Sequence, residues 1–383
     1  MPSELEQAQA RLARLSGFLT QDPRNLNLLA EIADLNLALG QFQAARAAIA
    51  QALSISPADP YFRSRLASVS LGEQKWDEAI EICRGLLGEG QDDPAIHYNL
   101  GRALLFAGHY ADAKTELEPL LARGDVPRDV PQLSIRALHY LGEVDSAIAV
   151  AERHLADSPD DAAVAGMLSL LYVDAGDMAS AKRWADRSLG QAPRNLDALL
   201  AAGTVQLAAE DDETAASTFE TALGVNGASG RAWTGSALAK LLKLDLAGGR
   251  ADFEQAVRFM PTHIGTWHGL AWVQLLQGDL AAAEESFQRA YELDRNFSES
   301  HGGLAVVAAY KGKWTEAEEL TKTALRLDPR SFSGRYAQSL LLQRSGRGEA
   351  AQQLIERALR GHQVPGGGTL ADMLLRVTAR QKR

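Results

Sequence analysis

Ten positions spaced 34 residues apart, Ala45, Ala79, Ala113, Ala147, Ala181, Ala215, Gly249, Ala283, Ala317 and Ala351, carry nine alanines and one glycine. A second series lies 12 residues before each of these, through Ala33, Ala67, Gly101, Ile135, Ser169, Gly203, Ala237, Ala271, Ala305 and Ser339, and nine of its ten members are small. A side chain that must stay small once per repeat marks a place where two backbones approach closely. A period of this length belongs to arrays of helix pairs, in which each pair buries its apolar face only against its neighbours.

Within each period a first helix carries apolar or small residues at helical spacing, as in Leu29, Ile32, Ala33 and Asn36. A turn such as Leu39-Gly40-Gln41 follows, then a second amphipathic helix. The helix-breaking position near the end of the period holds Pro23, Pro57, Pro159, Pro193, Pro261 and Pro329. Units of 34 residues therefore begin at Leu26, Pro60, Pro94, Arg128, Ala162, Leu196, Gly230, Ile264, Ser298 and Phe332, and residues 26–365 are ten repeats. The best-kept unit has Trp267, Leu270, Ala271, Ala283, Phe287 and Ala290, and Trp233, Ala237, Gly249, Phe253 and Ala256 repeat it one unit earlier. These residues resemble the tetratricopeptide repeat motif. The resemblance implies an all-α fold of the α-solenoid class, with helix-turn-helix repeats wound as a right-handed superhelix.

Elongation by repetition makes the 383 residues one array rather than several globular domains. Each end of such an array needs a polar cover. Residues 1–25 are expected to supply an N-terminal capping helix, with Leu5, Leu12, Leu15 and Leu19 inward. Residues 366–383 are expected to be a linker, Gly366-Gly367-Gly368, and a C-terminal capping helix striped by Leu370, Met373, Leu374 and Val377, or else a tail that swings onto the groove or a partner. Pro119, Pro127 and Pro131 interrupt the pattern, so residues 119–131 are expected to bend the array between three repeats and seven.

The formal charge is −10, and no basic run precedes the short Arg376, Arg380, Lys382 and Arg383 tail. Nucleic acid is not an expected partner, because neutralising phosphates needs clustered cations. The single cysteine, Cys83, falls on the inward face of a second helix, where it is expected to act as a small hydrophobe. No apolar run is long enough for membrane insertion, and a cytoplasmic location is expected. No nucleophile, acid–base set or close His/Cys spacing stands out, so neither enzymatic activity, a metal site nor a cofactor is expected. His263 and His268 are five apart across a helix boundary.

The resemblance also implies a concave groove lined by positions 2, 5, 6, 9, 12 and 13 of the first helices. In units two to four these positions place Arg65, Tyr98, Asn99, Arg102, Gln132, Arg136 and His139 there, a set suited to holding a carboxylate. The lysine and asparagine clamp by which the family holds chaperone tails is missing. Units five to nine present Met167, Leu170, Leu200, Leu207, Leu238, Leu241, Trp272, Leu275, Val306 and Tyr310, an apolar trough of the kind that marks a binding surface when exposed. Gly235, Gly265, Gly269, Gly302 and Gly303 fall inside first helices, where glycine costs roughly 0.5–1 kcal/mol against alanine. Either a ligand backbone comes close there or the helices themselves do. His268, Trp272 and Glu299 border that floor.

The expected function is that of a noncatalytic scaffold or adaptor whose groove takes an extended peptide or amphipathic helix of another protein. Two alternatives from other classes are the recognition arm of a multi-chain glycosyltransferase- or sulfotransferase-like enzyme, and a structural homo-oligomer formed by self-association.

Overall fold

The structure, a computed structural model, describes residues 4–123 and 127–361. Its chain divides into two compact units, one running through Pro159 and the other beginning at Asp160. In the first unit α1 (Glu4–Gln21) precedes four helix pairs: α2 (Leu26–Ala38) and α3 (Phe42–Ile55), α4 (Pro60–Gly72) and α5 (Trp76–Gly88), α6 (Pro94–Phe106) and α7 (Tyr110–Leu117), α8 (Val130–Tyr140) and α9 (Val144–Asp157). The second unit holds α10 (Ala162–Asp174) and α11 (Met178–Gln191), α12 (Leu196–Ala208) and α13 (Asp212–Val225), α14 (Gly230–Leu242) and α15 (Leu246–Phe259). It continues with α16 (Ile264–Leu276) and α17 (Leu280–Leu293), α18 (Ser298–Tyr310) and α19 (Trp314–Leu327), α20 (Phe332–Arg344) and α21 (Gly348–Gly361). The fold is all-α and of the α-solenoid class.

Nine of the ten first helices start at the residue the 34-residue phase assigns. The fourth starts at Val130 instead of Arg128. Pro131 has no N–H and is tolerated only in a first turn, so the helix is pulled forward to begin just ahead of it. Pro119 acts in the same region, ending α7 after 8 residues and passing the chain into a 3₁₀ turn, Glu118–Ala122. The two compact units nevertheless divide one repeat later than the proline-rich stretch.

Capping fixes the starts. Asn25, Asp59, Asp93, Asp161, Asn195, Ser229, His263 and Ser331 each accept a hydrogen bond from a backbone N–H in the first turn they precede, a contribution of about 1 kcal/mol apiece for the Asx and Ser caps. Position 15 of every unit is left-handed. Gly40, Gly108, Gly142, Gly176, Gly278, Gly312 and Gly346 take φ of 69–85° there, whereas Gln74, Glu210 and Leu244 take 58–60° with a side chain attached.

The two small-residue series mark the helix crossings. Every alanine from Ala45 to Ala317 in the first series is fully buried, as are Ala33, Ala67, Ala237, Ala271 and Ala305 in the second. A Cβ on Gly101 would lie 2.7 Å from Leu117, and one on Gly203 2.6 Å from Phe219. In α1, Leu15 is buried and Leu12 and Leu19 pack against the core of the first repeat, but Leu5 is exposed, correcting its inward assignment. An 18-residue helix is about 7 Å longer than the 13-residue α2 beside it, so its first turn overhangs. Gly366-Gly367-Gly368 and the Leu370, Met373, Leu374 and Val377 stripe lie outside the described residues, as does the basic tail.

Candidate functional site

In the first unit the side chains expected to hold a carboxylate already have partners. Arg65 Nε donates to Asp34 Oδ1 at 2.6 Å, Tyr61 donates its hydroxyl to Asp34 Oδ2 at 2.6 Å, and the Arg65 guanidinium sits 4.8 Å over the Tyr61 ring. One repeat further on, the Tyr98 hydroxyl donates to Asp129 at 2.9 Å and accepts a long 3.5 Å bond from Arg102. Burial, reinforced by Asp129, pushes the Tyr98 phenol up to about 12. Asn99 is buried and donates to Ser68 Oγ at 3.1 Å. Arg136 is exposed on α8. The reading of these residues as an open cationic pocket is corrected: Asp34 neutralises Arg65, and Asn99 ties α6 to α4.

Four residues assigned to the apolar trough are buried: Met167 and Leu170 at 7% exposure, Leu200 at 5% and Val306 at 0%. First helices in the second unit are packed from several sides, α10 against α11 and α12 and α18 against α19 and α20, so even their ninth position can turn into a seam. Leu207 is half-buried against Leu170, Leu199, Leu200 and Phe219. Leu238 remains open at 42%.

Four of the five floor glycines are likewise packing features, whereas Gly265 is exposed and a Cβ there would meet only the His263 ring of its own helix cap, at 3.1 Å. A Cβ on Gly235 would lie 2.2 Å from the Phe219 ring, on Gly269 2.5 Å from Phe253, and on Gly303 2.4 Å from Phe287. Each of these phenylalanines is 0–1% exposed on the second helix of the preceding repeat. A Cβ on Gly302 would lie 2.4 Å from the Gly334 backbone nitrogen. Of the two readings of these glycines, close approach between helices is the one with atoms behind it, and Gly303 leaves the list of contact residues.

His268 and Glu299 also act internally. His268 is buried, with Nε2 2.9 Å from Ser300 Oγ and its ring edge-on to Phe287 and Phe297 at 5.3 Å each. Burial lowers its pKa to about 4, against a small opposing effect of Glu299. Glu299 accepts from Phe332 N at 2.7 Å and Ser333 N at 2.9 Å, capping α20 of the next repeat. Trp233 and Trp267, assigned to packing, are half-buried and donate Nε1 to the carbonyls of Gly227 and Pro261.

What the second unit does gather on its first-helix face is an aromatic cluster. Trp272 stands perpendicular to Phe287 at 5.9 Å and against Phe332 and Tyr336 at 6.1 and 6.0 Å. Phe332 and Tyr336 are parallel, 6.5 Å apart. Tyr310, 50% exposed, shares a 2.8 Å hydroxyl contact with Tyr336, and Leu276 on α16 is 64% exposed. Next to Tyr310 opens a cavity of about 420 Å³ walled by Trp314, Leu340, Gln343 and Arg344, with the Arg344 guanidinium 4.4 Å over the Trp314 ring. Trp272 and Tyr310 are the two members of the cluster placed in the trough from sequence. Leu276 and Tyr336 were readable in the same way, since they occupy unit positions 13 and 5, and Phe332 begins the tenth unit.

Among the described residues no group of three or more His, Cys, Asp or Glu could hold a metal ion, and no helix is long and apolar enough to cross a membrane. Cys83 is 1% exposed, and burial pushes its thiol up to about 12, so it is no nucleophile.

A phased array of helix pairs with a side-chain-lined first-helix face defines a repeat-type interaction scaffold. Tetratricopeptide repeat models match residues 31–94, 133–196 and 303–368, residues 70–137, and residues 264–297, and the chain belongs to the tetratricopeptide repeat family. The BBSome complex member bbs-4 of Caenorhabditis elegans is 24% identical over 179 residues, 45% of this chain and 39% of that protein, so the chain spans about two fifths of this curated relative's length. Among solved structures, a human IFIT1 dimer with m7Gppp-AAAA superposes with a TM-score of 0.54 at 16% identity, covering 94% of this chain and 95% of that one. The APC/C hetero-tetramer Cut9–Hcn1 gives 0.52 at 14% identity, covering 92% and 84%. At these identities the likeness is one of fold.

Proposed function

We propose that this protein is a noncatalytic adaptor that holds a peptide or amphipathic helix of a partner protein along first-helix faces, chiefly on the second unit's aromatic cluster. The observation that carries this is exposure: Tyr310 keeps 50% of its surface open with its hydroxyl 2.8 Å from that of the half-buried Tyr336, and Leu276 and Leu238 on the first helices α16 and α14 keep 64 and 42%. Aromatic anchors in a partly desolvated patch carry most of the binding energy in protein interfaces. A partner contributing an apolar stripe would cover that surface, and the Tyr310 and Tyr336 hydroxyls would orient it. The contact residues of this reading are Leu238, Trp272, Leu276, Tyr310 and Tyr336. Packing of Leu12, Leu15 and Leu19 on the first repeat supports α1 as its cover. A cytoplasmic location accompanies this reading.

A photo-crosslinking phenylalanine analogue at position 310 tests it. The expected product joins a partner peptide at position 310, and none forms from the same analogue at Glu213 on α13. Tyr310→Ser with Leu276→Ser should abolish the product while leaving the melting temperature within about 1–2 °C, as for surface changes generally. Equal crosslinking from both positions would remove the aromatic cluster from the interface. Crosslinks only to a second copy would favour self-association instead.

A further inference from the structure

The seam between consecutive repeats holds one pair that packing alone does not require. Position 17 of one unit meets position 13 of the next, and two such pairs are stacked rings: Trp76 with Phe106 at 5.1 Å and Tyr110 with Tyr140 at 4.5 Å. Between the ninth and tenth units the partner of Trp314 is Arg344, its guanidinium 4.4 Å over the indole. Arg344 is the one cation among the ten residues at position 13, and a ring fills the same seat at Phe106 and Tyr140.

The second observation is charge. Arg344 is exposed, and its guanidinium has no hydrogen-bond or ion-pair partner among the described residues. In the preceding turn Lys311 pairs with Glu284 at 2.6 Å and Lys313 with Glu316 at 3.3 Å. With 49 acidic residues against 39 basic ones, a guanidinium left without a carboxylate does not reflect a shortage of partners in the chain. Stacked by its face, it keeps its N–H edge free, and that planar edge matches the two oxygens of a carboxylate.

The third is space. The cavity of about 420 Å³ beside Tyr310 is lined by Ala309, Tyr310, Trp314, Leu340, Gln343 and Arg344, and so by no carboxylate. Trp314 and Arg344 also line a second cavity of about 550 Å³ between α19 and α20, whose one acidic residue, Glu318, pairs with Lys322 at 2.7 Å. Apolar walls with one uncompensated cation suit an anionic side chain carried next to an apolar one.

We propose that the cavity beside Tyr310 recognises an aspartate or glutamate side chain of the docked partner segment, its carboxylate forked by Arg344 and a neighbouring apolar residue set against Leu340 and Tyr310. This rests on the reading of the Tyr310 surface as a docking face and adds the chemistry of what docks there. Charge complementarity selects the occupant: a neutral side chain would leave the guanidinium without an anion, and a cation would meet it with like charge.

Dansyl-labelled Gly-Leu-Leu-Glu-Leu-Gly amide, and the same peptide with glutamine for glutamate, are titrated into the full chain and followed by anisotropy. The amidated end leaves the side-chain carboxylate as the peptide's anion. The expected result is saturable binding that favours glutamate at least about threefold at low salt and approaches parity at about 1 M salt, as screening requires of an exposed pair. Arg344→Gln should bring the two peptides level. Arg344→Lys should retain the preference in part, since the charge stays and the fork is lost. Arg326→Gln, the same charge change at an exposed residue of α19, should leave the preference intact. Equal binding of the two peptides, a preference that survives Arg344→Gln, an equal loss in Arg326→Gln, or no saturation would each overturn the proposal. The ratio between the peptides reads this cavity alone, whereas crosslinking at position 310 reads docking of the whole partner. An absent preference with an intact crosslink therefore sinks the carboxylate site, and an absent crosslink with an intact preference sinks the adaptor reading.

Discussion

Replacing Gly303 by alanine asks what the glycines of the second unit are for. The added Cβ would lie 2.4–2.7 Å from three ring atoms of Phe287, which is fully buried between Trp272, His268 and the glycine itself. No real Cβ is found at such distances, so the ring must move within a packed seam, an overpacking cost of about 1–3 kcal/mol. Alanine returns up to about 1 kcal/mol through helix propensity. With three ring atoms in conflict the cost falls in the upper part of its range, and the net is a destabilisation of about 1–2 kcal/mol. In a Phe287→Leu background the ring is gone, and the same change should be neutral or favourable. The coupling between the two positions is then about 1–3 kcal/mol, within the range for residues in contact. Urea unfolding of the wild type, both single variants and the double variant, monitored by circular dichroism, gives the cycle. Gly190→Ala on α11 is the control: its Cβ would have open space, so it should be neutral or stabilising. If Gly303→Ala proves harmless, or its cost survives Phe287→Leu, the ring is not what keeps the position bare, and close approach of a ligand regains its standing.

Two further outcomes follow from backbone geometry and burial. Leu244 holds φ at 58° while half its surface is exposed, so Leu244→Gly should relieve left-handed strain and raise stability by about 1 kcal/mol, read as a higher urea midpoint. His268 has its folded pKa lowered to about 4 by burial, so between the unfolded value near 6.5 and about pH 4 the unfolded chain binds the extra proton. Stability from this group is therefore full above the unfolded pKa and is lost as the pH falls through that window, by up to roughly 3 kcal/mol. The difference in urea stability between wild type and His268→Gln, followed from pH 7 to pH 4.5, should shrink on acidification; a constant difference would contradict the burial argument.

The fold was legible because two rows of small residues, the turn glycines and the prolines share one phase, and each is required by backbone geometry rather than by side-chain chemistry. The candidate site was less so. First helices in the second unit are apolar on several sides: Val306, Val307, Ala308 and Ala309 are all buried although they point in four directions. Periodicity separates inside from outside only where a helix has one wet face, and α18 has little of one. The partners of Arg65 and Asn99 lie 31 residues back, one repeat away, and no local pattern announces them. The glycine floor did have a signal. Phe219 and Gly235, Phe253 and Gly269, and Phe287 and Gly303 are each 16 residues apart, so a large side chain on one repeat is matched by an absent one on the next.

That compensation bears on the aromatic cluster. Phe287 fills the seat at Gly303 and at the same time supports Trp272 edge-on, while Trp272 rests on Phe332 and Tyr336 of the tenth repeat. Glu299 ties the start of α20 to α18, fixing the helix that presents Tyr336. The exposed rings are thus mounted on a buried chain of contacts running through three repeats, and they would lose little rotamer freedom when covered. Each ordered side chain costs an association about 0.5–1.5 kcal/mol, so rings already held in place favour binding without adding any contact. A variant that loosens the buried chain, such as Phe287→Leu, should therefore weaken partner binding chiefly through faster dissociation although it touches no exposed atom, whereas Tyr310→Ser should weaken binding with the stability of the fold intact. Equal dissociation rates for wild type and Phe287→Leu would mean that the surface rings are ordered independently of the packing beneath them.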